Sequence, residues 1–125
     1  MVADAPLLGV GPGMVQRLYP QYRVADAPRL RIPHLHSNPV QIAAERGLAG
    51  LVTYLALLGL FTVHCLRLLR DRQHPGIASV AGCLLAAAGV SVAGLFEYNW
   101  GDAEVWIVTL VSLSAPFALV PRKAA

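Results

Sequence analysis

The chain is poor in charge: only 14% of its 125 residues are Asp, Glu, Lys or Arg. A water-soluble domain of this size carries about 25%, so a charged, fully solvated surface is excluded. Cysteine is nearly absent, and Cys65 and Cys83 stand alone in separate apolar segments. Disulfide frameworks and cysteine metal sites need paired or clustered thiols, so both read as small buried residues. A basic leader followed by a long apolar core is also missing from the first residues, "MVADAPLLGVGPG", which do not read as a signal peptide. What the chain has in excess is apolar residues, at 56%, with a mean hydropathy of +0.56.

The charges themselves mark out the apolar segments. Residues 47–66 hold no acidic or basic side chain apart from His64, and residues 75–96 and 105–121 hold none at all. A helix rising about 1.5 Å per residue needs about twenty residues to cross a ~30 Å hydrocarbon layer. The first two segments meet that length, and the third is at its short limit. The expected fold is all-α, with about three multi-pass membrane helices preceded by an irregular loop over residues 1–46.

Basic residues collect on the cytoplasmic side of a membrane protein. The connection "RLLRDRQH" has Arg67, Arg70 and Arg72 against Asp71, and the C-terminus has Arg122 and Lys123. The connection "EYNWGDAE" has Glu97, Asp102 and Glu104 and no basic residue. Alternation then puts the first connection and the C-terminus inside, and residues 1–46 and the acidic connection outside. Tyr98, Trp100 and Trp106 fall at the outer boundary, where aromatic rings anchor in the headgroup layer. Arg17, Arg23, Arg29, Arg31 and Arg46 lie on the outer side and strain this assignment. Either the topology is inverted, or they solvate a loop, or they contact an anionic ligand through their planar donor forks.

Ala78, Gly82, Ala86, Gly89 and Ala93 form a small-residue face on the second apolar segment. Such a face lets helices approach closely in lipid, and it implies a larger bundle. "LLGVGPGMV" carries glycines at 9, 11 and 13 but lacks the context of a dinucleotide or phosphate loop, so it reads as a tight turn. "YPQYRVADAPRLRIPHLHSNP" has no helical period and reads as an external loop. A basic, aromatic loop suits nucleic acid, but no nucleic acid is expected on the outer face.

"HSNPVQIAAERGLAG" is the most specific stretch. Asn38 suits an N-cap, Pro39 the first helical position and Gln41 a capping box. A helix is therefore expected from Asn38, with Gly47 and Gly50 on one face where it meets the membrane. His36 is fixed just before it, as a surface histidine or as a proton acceptor at neutral pH. The histidines at 34, 36, 64 and 74 lack acidic or cysteine partners at ligand spacing, so no metal and no cofactor is expected.

These residues resemble the O-antigen ligase and polymerase family of bacterial envelope polysaccharide enzymes. Its signature is a His, then Asn, Ser or Gln, nine residues, Gly, two residues, then Gly, Thr or Tyr. Here it reads His36, Ser37, residues 38–46, Gly47, Leu48, Ala49 and Gly50. The upstream "GVGPGMVQRLYPQY" is similar to the Gly-rich stretch ahead of the family's periplasmic loop.

The resemblance implies an inverting, metal-independent glycosyl transfer at the periplasmic face of the inner membrane. The donor it implies is a glycan on undecaprenyl diphosphate, and the acceptor is lipid A-core or a growing glycan. His36 takes the role of base, and Arg29 and Arg31, then Arg17, Arg23 and Arg46, hold the diphosphate. Family members have many more spans, so the chain reads as a C-terminal piece that is inactive alone. Ligase, polymerase and protein oligosaccharyltransferase are not separated by these residues. A small non-catalytic membrane protein that packs with partner helices is the competing reading.

Overall fold

In a computed structural model, which describes residues 1–118, the chain forms four helices and no strand among the described residues. They are α1 (Met14–Tyr22), α2 (Asn38–Arg70), α3 (Ile77–Phe96) and α4 (Ala103–Ala118). The all-helical expectation holds. Two of the helices, α2 and α3, are long and apolar enough to cross a membrane, and α4 is a shorter apolar helix of 16 residues. Arg122, Lys123 and the end of the third apolar segment lie outside the described residues.

The first 46 residues are less irregular than expected, because α1 lies among them. It starts where Gly13 turns the chain through a left-handed conformation (φ 71°) and Met14 N–H donates to the Gly11 carbonyl, 3.2 Å away. It ends as Arg23 becomes extended and donates to Tyr19 O. Pro20 sits inside it and withholds a donor from the helix ladder. Val15 anchors the helix by complete burial. The prolines and arginines of this segment hid a helix that tertiary packing holds.

The start of α2 at Asn38 agrees with the sequence, but the helix is not continuous through Gly47. There φ is 66° and ψ is −167°, outside helical space. Leu48 N–H therefore donates to Pro6 O at 2.8 Å, and Ala49 N–H to Leu7 O at 3.2 Å. The helical acceptors they abandon, Ala44 O and Glu45 O, receive Val10 N–H and Gly11 N–H at 2.9 and 3.0 Å. A buried backbone group left unpaired is costly, and here residues 6–11 pair with all four of these groups. A Cβ on Gly9 would overlap the Glu45 backbone, so the glycine-rich stretch is a splint for the broken helix as well as a turn.

The chain divides into two compact units. The first comprises Met1–Ala56 with Ala93–Trp100; the second contains Leu57–Val92 and α4. In the second unit Phe61, Cys65, Val80, Ala87 and Leu113 make the core, with Leu68, Leu69, Cys83 and Leu84 packed around it. Both cysteines are free, Cys65 buried and Cys83 half-buried. His64 stacks flat on Phe117, with ring centroids 4.1 Å apart. The inward register of α3 is Val80 and Ala87, seven residues apart. The small-residue face of Ala78, Gly82, Ala86, Gly89 and Ala93 is exposed, and a Cβ on Gly82 or Gly89 would meet nothing within 4 Å.

Candidate functional site

The first unit joins the start of α2 to the end of α3. Asn38 is completely buried there. Its side-chain amide donates to Asn99 Oδ1 at 2.7 Å, and its Oδ1 accepts the Asn99 and Trp100 backbone N–H groups, each at 3.1 Å. The expected N-cap role is thus corrected: Asn38 ties α2 to the turn after α3. The Ser37 carbonyl accepts the Gln41 N–H that opens the helix, at 2.9 Å. Gln41 is corrected too. Its Oε1 accepts Leu35 N–H at 2.8 Å and its amide donates to buried Glu45 at 2.8 Å. These bonds fix the chain that carries the histidines.

Next to this tie, His36 Nδ1 lies 2.9 Å from Glu97 Oε2, across 61 residues of sequence. His34 Nδ1 lies 3.3 Å from the other oxygen of the same carboxylate. The two imidazole rings meet edge to face at 5.1 Å, and Tyr98 packs on His34 at 5.6 Å. Glu97 also accepts the Tyr98 backbone N–H at 2.9 Å. The hydrogen bond from His36, and after it that from Tyr98, hold the Glu97 carboxyl below the ordinary carboxylate range. The expectation that these histidines lack an acidic partner is therefore corrected: Glu97 provides one from the far end of α3.

This arrangement defines what His36 can do. A carboxylate only accepts hydrogen bonds, so neutral His36 donates its Nδ1–H to Glu97 and leaves the Nε2 lone pair free. A histidine oriented in this way is equipped to take a proton from a hydroxyl. More than half of its side chain is exposed, and it lines a cleft of about 400 Å³ with Tyr19, Pro28, Arg29, Ile32 and Leu35.

The five arginines separate by position. Arg29 shares the His36 cleft. Arg17 and Arg31 line a second cleft of about 330 Å³ with Gln16 and Pro20. Arg23 turns back on the carbonyls of Val24 and Ala25 at 3.4 and 3.5 Å. Arg46 lies 3.6 Å from the carboxylate of its neighbour Glu45. Gly47 is the helix break, while Gly50 fits against the Arg46 side chain.

Compared with protein-family models, curated proteins and solved structures, the chain finds no match. The site therefore rests on its own geometry. Sequence reasoning reached His36 but missed Glu97 and His34. One signal pointed to Glu97: charge alternation puts residues 1–46 and the 97–104 connection on the same side.

Proposed function

We propose that the chain is part of a membrane glycosyltransferase of the O-antigen ligase kind, with His36 as its base. The observation that carries this reading is the His36–Glu97 pair, which frees Nε2 at the histidine of the His–Gly–Gly signature. The acceptor hydroxyl gives its proton to Nε2 as its oxygen bonds to the anomeric carbon of the donor sugar. The bond from that carbon to the lipid diphosphate breaks on the opposite face, and configuration inverts. The departing diphosphate gains negative charge, which a guanidinium stabilises. Arg29 is best placed for this, since it lines the His36 cleft. Arg17 and Arg31 form a separate basic patch for more distant phosphate or sugar groups.

The donor is a glycan on undecaprenyl diphosphate, and the acceptor is lipid A-core or a growing glycan chain. The chain resides in the bacterial inner membrane, with α2 beyond Gly47, α3 and α4 as three spans and residues 1–46 towards the periplasm. The contacts of residues 36 and 38 with residues 97–100 support a common side for those two segments. Exposed large apolar side chains along the helices, among them Leu60, Leu85, Phe96 and Ile107, suit a lipid surrounding.

The test is His36→Ala in cells whose lipopolysaccharide capping depends on this chain. Loss of a general base lowers transfer by about 10²–10⁴-fold, so capped lipopolysaccharide should disappear from a gel while the protein stays in the membrane fraction. Capping at the parent level would end the catalytic reading of His36 and favour a packing role.

A further inference from the structure

Two imidazoles aimed at one carboxylate are more than a base and its orienting partner need. One ring nitrogen from each of His34 and His36 and one Glu97 oxygen all lie within 4.8 Å of one another. A tetrahedral ion bound at ~2.0–2.2 Å holds its nitrogen and oxygen ligands about 3.3 Å apart. The two histidine-to-carboxylate distances, 2.9 and 3.3 Å, are close to that spacing.

His34 provides a second, independent pointer. Its Nδ1 is sealed from solvent and makes no hydrogen bond, despite its 3.3 Å approach to Glu97. A buried ring nitrogen without a partner is destabilising, and a metal ion would satisfy it. His36 and Glu97 are about half exposed, which leaves an open side for water or an anionic group as a further ligand.

We propose that His34, His36 and Glu97 form a binding site for a divalent transition-metal ion of the Zn²⁺ type. Two imidazoles and one carboxylate suit zinc and its neighbours better than calcium or magnesium, which prefer all-oxygen shells. The bound ion replaces the Nδ1 hydrogen of His36, so the neutral ring must carry its hydrogen on Nε2. That nitrogen then has no lone pair for an acceptor hydroxyl. Metal occupancy therefore switches the base off, a consequence that rests on the glycosyl-transfer role of His36. The binding itself does not.

The experiment is a titration of the full chain in detergent with ZnCl₂ alone, in competition with a chromophoric chelator. One ion per chain should bind, and His34→Ala, His36→Ala and Glu97→Gln should each weaken it at least about tenfold. His74→Ala, outside the cluster, serves as the control and should bind as the parent does. Circular dichroism of each variant checks its fold, and Glu97→Gln keeps the size of the side chain. Undiminished binding in the three variants, or no binding by the folded parent, overturns the site. A transfer assay in membranes from cells whose lipopolysaccharide capping depends on this chain, with and without zinc, separates the two ideas. Zinc that binds without slowing a His36-dependent transfer overturns the switch. A His36→Ala protein that still transfers overturns the glycosyl-transfer reading and leaves the metal site standing.

Discussion

Gly47 stands so close to Leu7 that a Cβ on the glycine would overlap the Leu7 carbonyl group. Its φ of 66° with ψ of −167° lies in a region essentially confined to glycine. The first glycine of the signature is therefore a joint. It breaks α2 and turns freed backbone groups towards residues 6–11, which bond to two N–H groups after the break and two carbonyls before it. Irregular backbone inside an apolar helix is tolerable where other protein groups satisfy it.

Gly47→Ala should be severely destabilising. The backbone strain alone is about 1–3 kcal/mol, and the Leu7 segment must also move away. Gly82→Ala is the natural control, because a Cβ there meets nothing within 4 Å. It should be neutral or slightly stabilising, since alanine favours a helix over glycine by about 1 kcal/mol. Thermal unfolding of both variants in the same detergent checks the contrast. Equal melting temperatures would refute the joint.

Asn38 is the second joint, and Gly94 is shaped to it. A Cβ on Gly94 would collide with the Asn38 amide nitrogen. Asn38→Ala removes three hydrogen bonds, at a cost of about 2–4 kcal/mol. Gly94→Ala should also destabilise while Asn38 is present. In the double variant the collision is gone, so its loss should be less than the sum of the two. Strict additivity of the unfolding free energies would show that these residues do not meet.

The helices were legible because charge is sparse and its gaps are long. Arg46 and Arg67 bracket one apolar segment, from the break in α2 almost to its end, and Pro75 and Glu97 bracket the next, close to the ends of α3. The start of α2 was legible from Asn38 and Pro39, though the use of the Asn38 side chain was not. Its partners lie 61 residues away, and cap statistics describe only the local alternative. The break at Gly47 was hidden for the same reason, since residues 6–11 create it from outside the helix. Of the site, His36 stood out through its motif, whereas Glu97 looked like one charge in an acidic turn.

The N-terminal segment has its own pH-sensitive tether. The Tyr22 hydroxyl donates a hydrogen bond to the Asp4 carboxylate, and the N-terminal ammonium lies 3.6 Å from the same group. These hold the Asp4 carboxyl below its usual range, and the same bond raises the Tyr22 phenol. A depressed carboxyl stabilises fully above its unfolded value and loses that contribution as pH falls through its lower folded value. A raised phenol is lost in the opposite direction, as pH climbs above the usual tyrosine range. Both groups are exposed, so the effect on global stability is small. Spectrophotometric titration of the tyrosines should show one titrating late in the parent and earlier in Asp4→Asn, where only the desolvation of Tyr22 still raises it. Identical curves would remove the tether.

Arg29 and Arg23 have the same chemistry but different surroundings, and that difference predicts different phenotypes. Arg29 lines the cleft that holds His36, whereas Arg23 is turned onto the Val24 and Ala25 carbonyls. If a departing diphosphate occupies that cleft, Arg29→Ala removes charge-assisted hydrogen bonds worth about 1.5–3 kcal/mol. Transfer should fall about tenfold to a hundredfold, with the loss in kcat because the phosphate charge grows only as the sugar leaves. Arg29→Lys keeps the charge but not the bidentate fork, and should recover part of the rate. Arg23→Ala exchanges weak contacts of 3.4 and 3.5 Å for water and should transfer at close to the parent rate. Kinetics of the three variants with a lipid-diphosphate glycan donor decide the matter. Equal losses in Arg29→Ala and Arg23→Ala would mean that the loop acts through its overall charge, with no phosphate site beside His36.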